Sequence, residues 1–245
     1  MATQAQRRVH AGLSLALSLA VSLAALWLAL ADIAHFSQTA DIVDLSASLE
    51  TGHGAQAAYL AKFTADHDAL ERAEDCTDAV SRARLTVSLA QLRQVDQSDV
   101  FQVTPALLRV IAMARARVLC SPVDGNAWLQ WSTTQLRAAG PTPEVVKGLQ
   151  RSALFAPSEA WILMPRLDIE AKLAAARVDG LDLLYGQDLR KFIEHEGVAL
   201  VAAAYVGHDD DVRTRMRPLI QAQPVGRRHA IVAEIDRLGV DFSMP

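Results

Sequence analysis

The sequence of 245 residues is poor in aromatic residues, which are enriched in β-strands. Aromatic residues make up only 5% of it, and no stretch alternates Val, Ile, Thr or Tyr with polar residues as a half-buried strand does. Ala and Leu are abundant instead. The composition therefore predicts an all-α fold.

The sequence also lacks a strong charge bias and the common catalytic signatures. The net charge is −4, which predicts no basic surface for nucleic acid. There is no glycine-rich phosphate loop, G-x-S-x-G elbow or H-E-x-x-H motif. We expect a non-catalytic protein that needs no cofactor. A catalytic site assembled from scattered residues would leave no such signature, so an enzyme is the alternative.

The densest polar cluster is the sequence GHDDD, from Gly207 to Asp211. Adjacent side chains on one short turn cannot all converge on one ion, and calcium loops place their ligands at alternating positions. Asp209 or Asp210 as the N-cap of a helix is the simpler interpretation. We therefore predict no metal site here.

Cysteine is scarce, with Cys76 and Cys120 as the only two. They form no CxxC motif, and no His stands at ligand spacing, which disfavours a thiol redox site or a zinc site. Cys76 precedes one predicted helix and Cys120 ends the next. If these helices are antiparallel, the two sulfurs meet, and an oxidising compartment would join them as a disulfide.

Charged residues are absent from Val9 to Ala31, a run that would form a helix of about 34 Å. Arg7 and Arg8 precede the run and Asp32 follows it. The positive-inside rule then predicts a cytoplasmic tail over residues 1–8 and a transmembrane helix over residues 9–31 that contacts the lipid bilayer. The rest of the chain would be periplasmic, on a single-pass protein of a bacterial inner membrane. A cleaved secretory signal ending at Ala29-Leu30-Ala31 is the alternative.

Beyond the span we predict two parts. Residues 32–75 read as a helical connecting segment, interrupted near Gly52-His53-Gly54, and residues 76–245 read as a helical-repeat domain. The repeat is visible in CSPVDGNAW, from Cys120 to Trp128, and in FAPSEAW, which ends at Trp161, 33 residues later.

Residues that typically begin and end helices follow the first of these motifs along the chain. Asp124 or Asn126 can cap one helix, which Gly140 ends; Thr142 can cap the next, with Pro143 at its first position. Ala156-Pro157 then stops that helix, Ser158 can cap a third, and Gly180 would end it.

These residues resemble a tetratricopeptide repeat, in which a Trp, a Gly and an Ala-Pro stand in this order. The resemblance rests on Trp128, Gly140 and Ala156-Pro157, covers residues 121–157, and begins again with Trp161. Ser132 stands where a Gly would be usual, and the turn between the helices is longer. The resemblance implies stacked helical hairpins, with Trp128 and Trp161 as packing residues between helices.

A membrane anchor followed by this repeat and the closing sequence RLGVDF is loosely similar to bacterial envelope proteins that accompany surface-polysaccharide assembly. The resemblance implies a non-catalytic, membrane-anchored periplasmic scaffold. Its partners would be other envelope or inner-membrane proteins, as in an accessory of exopolysaccharide assembly. The alternative is a periplasmic glycan-binding protein or an enzyme that uses scattered His, Asp and Arg groups.

Several arginines fall near predicted helix ends. A groove lined by some of them could hold an acidic peptide or an anionic glycan, and the candidates are Arg115, Arg137, Arg151 and Arg166. The competing interpretation is a solvated surface whose charges compensate helix dipoles.

Overall fold

The computed structural model describes the backbone of residues 2–67 and 76–242. It describes side chains from residue 17 onward, apart from those of residues 35, 36, 38 and 64–67. Within these ranges the chain contains helices and no strand, which confirms the all-α prediction. The helices are α1 (Ala2–Glu50), α2 (Ala57–His67), α3 (Asp78–Gln94), α4 (Val100–Cys120), α5 (Gly125–Ala139), α6 (Pro143–Phe155), α7 (Ala160–Ala175), α8 (Asp182–His195), α9 (Val198–Gly207), α10 (Asp210–Gln221) and α11 (Val225–Arg237).

Helix α1 is longer than the predicted membrane span. It runs without interruption for 49 residues, and its window Leu17–Ala34 is long and apolar enough to cross a membrane. No part of that window is buried inside the protein. The chain therefore has one N-terminal helix with the length and composition of a membrane span.

The second half of α1 belongs to the folded domain. Ile42 is 4% exposed and packs in one apolar cluster with Leu60 of α2 and with Ala83 and Val87 of α3. The connecting segment is thus packed against the domain that follows it. Its predicted break lies between α1 and α2, where Gly52 has a φ of +85°.

Helices α3 and α4 form a hairpin that is closed by the predicted disulfide. The sulfurs of Cys76 and Cys120 are bonded, and their Cα atoms lie 4.9 Å apart. Leu92 of α3 and Val110 of α4 are buried in the cluster between the two helices. The end of α4 is thereby fixed beside the start of α3, as the antiparallel arrangement predicts.

Helices α5 and α6 approach each other closely. A Cβ on Gly148 would lie 2.1 Å from the Oγ of Ser132, so only glycine fits at this point of α6. Gly125 is similarly close to α6, because its Cβ would lie 2.5 Å from the Cβ of Ala156. The side chains of Asp124 and Thr142 cap the two helices, and Gly140 ends α5 with a φ of +74°.

Helix α7 differs from its predicted limits at both ends. Ser158 does not cap it, since the helix begins at Ala160 with Glu159 in the N-cap position and no side-chain cap bond. Its last residue is Ala175, five residues before Gly180, because Arg177 takes a left-handed φ of +58° and the amide of Val178 bonds back to Leu173.

The two tryptophans of the repeat differ in their environment. Trp128 is 7% exposed, and its Nε1 donates a hydrogen bond to the carbonyl oxygen of Pro122 at 2.8 Å, so it packs as predicted. The prediction for Trp161 is wrong, since 63% of it is exposed. Ile162 and Leu163 occupy the core-facing side of the first turn of α7, which leaves the indole pointing outward.

Candidate functional site

The end of α1 opens onto a groove of about 830 Å³ that we call the anchor-side groove. One wall is the turn from Leu49 to Gly54, and the floor is a face of α3. The opposite side is formed by the start of α5 and by Trp161. The α3 residues of the groove recur at helical spacing: Arg82, Leu85, Thr86, Leu89, Ala90, Arg93 and Gln94.

Ion pairs join the elements that line the anchor-side groove. Arg82 donates from Nε and Nη2 to the two carboxylate oxygens of Glu50, at 3.1 and 2.9 Å, and so joins α1 to α3. Arg117 is 5% exposed and pairs with Asp78 at 2.6 Å and with Asp124 at 2.8 Å. Burial opposes the charge of Arg117, yet these two hydrogen-bonded carboxylates leave its pKa raised. Arg82 and Arg117 therefore already have acidic partners within the protein.

Arg93 differs from these paired arginines. It is exposed and forms no ion pair with any residue that the structure describes, so the groove retains one free cation. The exposed indole of Trp161 and the aliphatic side chains of Leu89 and Ala90 supply apolar surface in the same groove. Aromatic side chains and arginine are enriched at protein interfaces, so this combination suits the binding of a partner.

The four arginines predicted to share one ligand groove have separate environments. Arg115 is exposed on α4, Arg137 bonds to Gln97, and Arg151 lies over the ring of Trp128 at 4.4 Å. Arg166 is fully buried, so it cannot line an open groove. Its guanidinium is taken up by an ion pair in the core.

That ion pair forms the centre of a buried polar cluster. Arg166 donates to Asp188 at 2.5 Å and also bonds the hydroxyl of Ser152 and the carbonyl oxygen of Ala156. The carboxyl group of Glu170, one turn along α7, lies 3.9 Å from the guanidinium. Arg166, Glu170 and Asp188 are all 0% exposed. The cluster thus ties the α6–α7 turn to α7 and α8.

Glu170 is neutral in this setting. Burial raises its pKa to about 9, and the adjacent charge of Asp188 acts in the same direction. No donor among the described residues reaches either carboxyl oxygen of Glu170. As a carboxylic acid, Glu170 can instead donate its own proton to Asp188.

A cleft of about 1020 Å³ lies between α7, α8 and α10. It brings His208 to within 4.0 Å of Asp168 and includes Arg215, Lys172 and Asp211. Tyr185 lies at its base, and burial raises its pKa to about 12. This α7–α10 cleft therefore gathers part of the predicted polar cluster with groups from two other helices.

The GHDDD sequence itself has a structural role at one position. The side chain of Asp209 accepts a hydrogen bond from the amide of Val212 at 3.1 Å, which makes it the N-cap of α10. Among the residues that the structure describes, no group of three His, Cys, Asp or Glu side chains is arranged to hold a metal ion.

Some residues that join distant helices carry no local signal in the sequence. Glu50 and Arg82 lie 32 positions apart, and nothing local marks them as a pair. Asp188 had a visible signal, because it shares the apolar face of α8 with Tyr185, Leu189 and Phe192. A carboxylate on such a face predicts a buried partner.

Comparisons with known proteins give no relative for this chain. No protein-family model matches it, and neither the curated proteins nor the solved structures give a significant match. The function must be inferred from the geometry of the surface.

Proposed function

We propose that this chain is a non-catalytic scaffold of the bacterial inner membrane, anchored by α1, and that its anchor-side groove binds a segment of another envelope protein. Exopolysaccharide production is the kind of envelope assembly in which we expect it to act. The observation that carries the proposal is the indole of Trp161, 63% exposed at the edge of a large groove. Tryptophan and arginine are enriched among the residues that contribute most to binding at interfaces, and Trp161 and Arg93 line the same groove.

The segment that fits the groove carries an apolar and an acidic side chain. The apolar residue would pack on Trp161 and Leu89, and the carboxylate would pair with Arg93. The remaining lining cations already have acidic partners within the protein, so they would add little attraction.

The position of the groove supports a membrane partner. Glu50 lies sixteen residues beyond Ala34 on the same helix, which corresponds to a rise of about 24 Å above the end of the apolar window. A partner in the same membrane would need a segment that reaches this height. The disulfide favours an oxidising compartment, which agrees with a periplasmic domain.

We further propose that the domain stacks helical hairpins in the manner of tetratricopeptide repeats. Support comes from the α5–α6 hairpin, in which Ser132 and Gly148 allow close contact, and from α7, which packs on α5. In such an arrangement α3, α5 and α7 would share one surface, and all three contribute to the anchor-side groove.

Affinity purification of the full-length protein from mild detergent extracts tests the proposal. We expect specific membrane proteins to co-purify with the wild type and to be lost with Trp161→Ala, since truncating an interface anchor commonly costs 2 kcal/mol or more. Arg93→Glu should weaken the binding of the same partners, because the new carboxylate would repel an acidic segment. Leu154→Ala is the matched control, since Leu154 is 70% exposed on α6 and lies outside the groove.

The proposal fails if the co-purifying proteins are the same for Trp161→Ala as for Leu154→Ala. It also fails if no membrane protein co-purifies with the wild type from cells that express it at its normal level.

A second candidate function is glycan binding in the α7–α10 cleft. The observation that favours it is the mixed lining of Asp168, His208, Lys172 and Arg215, which offers donors and acceptors to a polyhydroxylated ligand. Saturable binding of an envelope oligosaccharide that His208→Ala abolishes, with partner binding unchanged, would favour this function over the scaffold.

A further inference from the structure

A third cavity lies between α8 and α10, away from the anchor-side groove and bordering the α7–α10 cleft, with which it shares Asp182 and Arg215. It is open to solvent, has a volume of about 560 Å³ and extends along α8 from Asp182 to Lys191, a distance of about 13.5 Å. Its lining is mostly apolar and comes from Leu183, Gly186, Leu189, Pro218 and Leu219. A volume of this size with an apolar lining and a few polar groups is typical of a small-molecule site.

Two residues that destabilise helices line this α8–α10 groove. Gly186 stands inside α8 and Pro218 inside α10, where each costs stability relative to an ordinary residue. Packing does not require the glycine, since a Cβ at Gly186 would meet no atom within 4 Å. The missing side chain instead leaves room in the floor of the groove.

The rim of the groove is cationic. Arg190, Lys191 and Arg215 line it, and the only acid among the lining residues is Asp182, which pairs with Arg215 at 3.1 Å. Lys191 reaches inward to the buried Asp188 at 3.4 Å. Arg190 is exposed and forms no ion pair with any described residue, so it is available to an anion.

We propose that the α8–α10 groove binds an anionic amphiphile, a single phosphate or carboxylate on a hydrocarbon chain. The chain would lie over Gly186 between Leu183 and Leu219, and the head group would meet Arg190 at the rim. This site is independent of the proposed scaffold function, because it shares no residue with the anchor-side groove.

The test uses octyl phosphate and the full-length protein in phosphatidylcholine nanodiscs, titrated calorimetrically against empty nanodiscs. We expect saturable binding of octyl phosphate and none of octyltrimethylammonium, which has the opposite charge. Arg190→Gln should weaken binding about tenfold, a loss of about 1.4 kcal/mol. Arg115→Gln, on the exposed face of α4, is the matched control and should leave binding unchanged.

Two substitutions at Gly186 separate binding from folding. Gly186→Ala and Gly186→Leu should both raise the thermal midpoint, because both residues favour helix over glycine. Gly186→Leu fills the groove and should abolish binding, while Gly186→Ala should weaken it by much less. Equal affinity of the wild type and Gly186→Leu would overturn the proposal. Equal binding of the two amphiphiles, or no saturable binding of octyl phosphate, would overturn it as well.

Discussion

The buried carboxyl group of Glu170 makes the stability of the domain depend on pH. In the folded protein its pKa is raised to about 9, whereas an unfolded glutamate titrates near its ordinary value of 4.5. Between these values the folded state holds one proton more than the unfolded state. The free energy of unfolding should therefore fall as the pH rises from about 5 to 9, by up to about 1.4 kcal/mol per pH unit.

Glu170→Gln removes this dependence without removing the hydrogen bond. Glutamine keeps the shape of the protonated acid, stays neutral at every pH, and can donate its amide hydrogen to Asp188. We expect the variant to match the wild type near pH 5 and to be increasingly more stable toward pH 9. Urea unfolding of the full-length protein in detergent, followed by tryptophan fluorescence at several pH values, measures the difference.

The difference between variant and wild type isolates Glu170 from other titrating groups. The groups that act on its titration are Asp188, Arg166 and Lys191, and all three are unchanged in the variant. If the two proteins show the same dependence on pH from 6 to 8.5, Glu170 is charged in the fold and this reasoning is refuted.

Further predictions concern the charge partner, the cross-link and the helix contacts. Arg166→Ala should lower the free energy of unfolding in urea by about 3–5 kcal/mol, because Asp188 loses its main buried partner. Arg151→Ala should lower it by less than about 1 kcal/mol. Equal losses for the two variants would contradict the buried ion pair. Replacing both cysteines by serine opens a loop with a sequence separation of 44 and should cost about 4 kcal/mol, seen as a lower thermal midpoint; an unchanged midpoint after substitution and after reduction would contradict this. Gly148→Ala should destabilise the fold by about 1–3 kcal/mol, because the new methyl group would clash with Ser132, whereas Gly186→Ala should stabilise the fold. Scanning calorimetry of both variants measures these changes, and a higher thermal midpoint for Gly148→Ala or a lower one for Gly186→Ala would contradict them.

Local chemistry made much of the fold predictable. Asp124, Thr142 and Asp209 cap helices because short polar side chains before an apolar helix satisfy free amides, and this signal lies within a few residues. The disulfide followed from two consecutive helices and two cysteines. The predicted end of α7 near Gly180 was wrong, because Arg177 takes a left-handed conformation that usually belongs to glycine.

The candidate site was less predictable, since its residues meet only through tertiary packing. Trp161 repeats the motif of Trp128, but its neighbours Ile162 and Leu163 take the core positions, and a motif alone cannot show which residue of a helix turn faces inward. Arg166 had no local signal that set it apart from Arg115 or Arg151. Its burial depends on Asp188, 22 positions later.

In the proposed membrane arrangement, the unbroken helix α1 would connect the anchor-side groove to the bilayer as one rigid rod. Because an α-helix turns by about 100° per residue, inserting a single residue between Ala34 and Ile42 would swing the whole domain by that angle about the axis of the span. Inserting seven residues would nearly restore the original orientation of the domain about the helix axis and would move it about 10 Å along that axis. In that arrangement, the number of residues between the apolar window and Ile42 would set the direction in which the domain faces other membrane proteins.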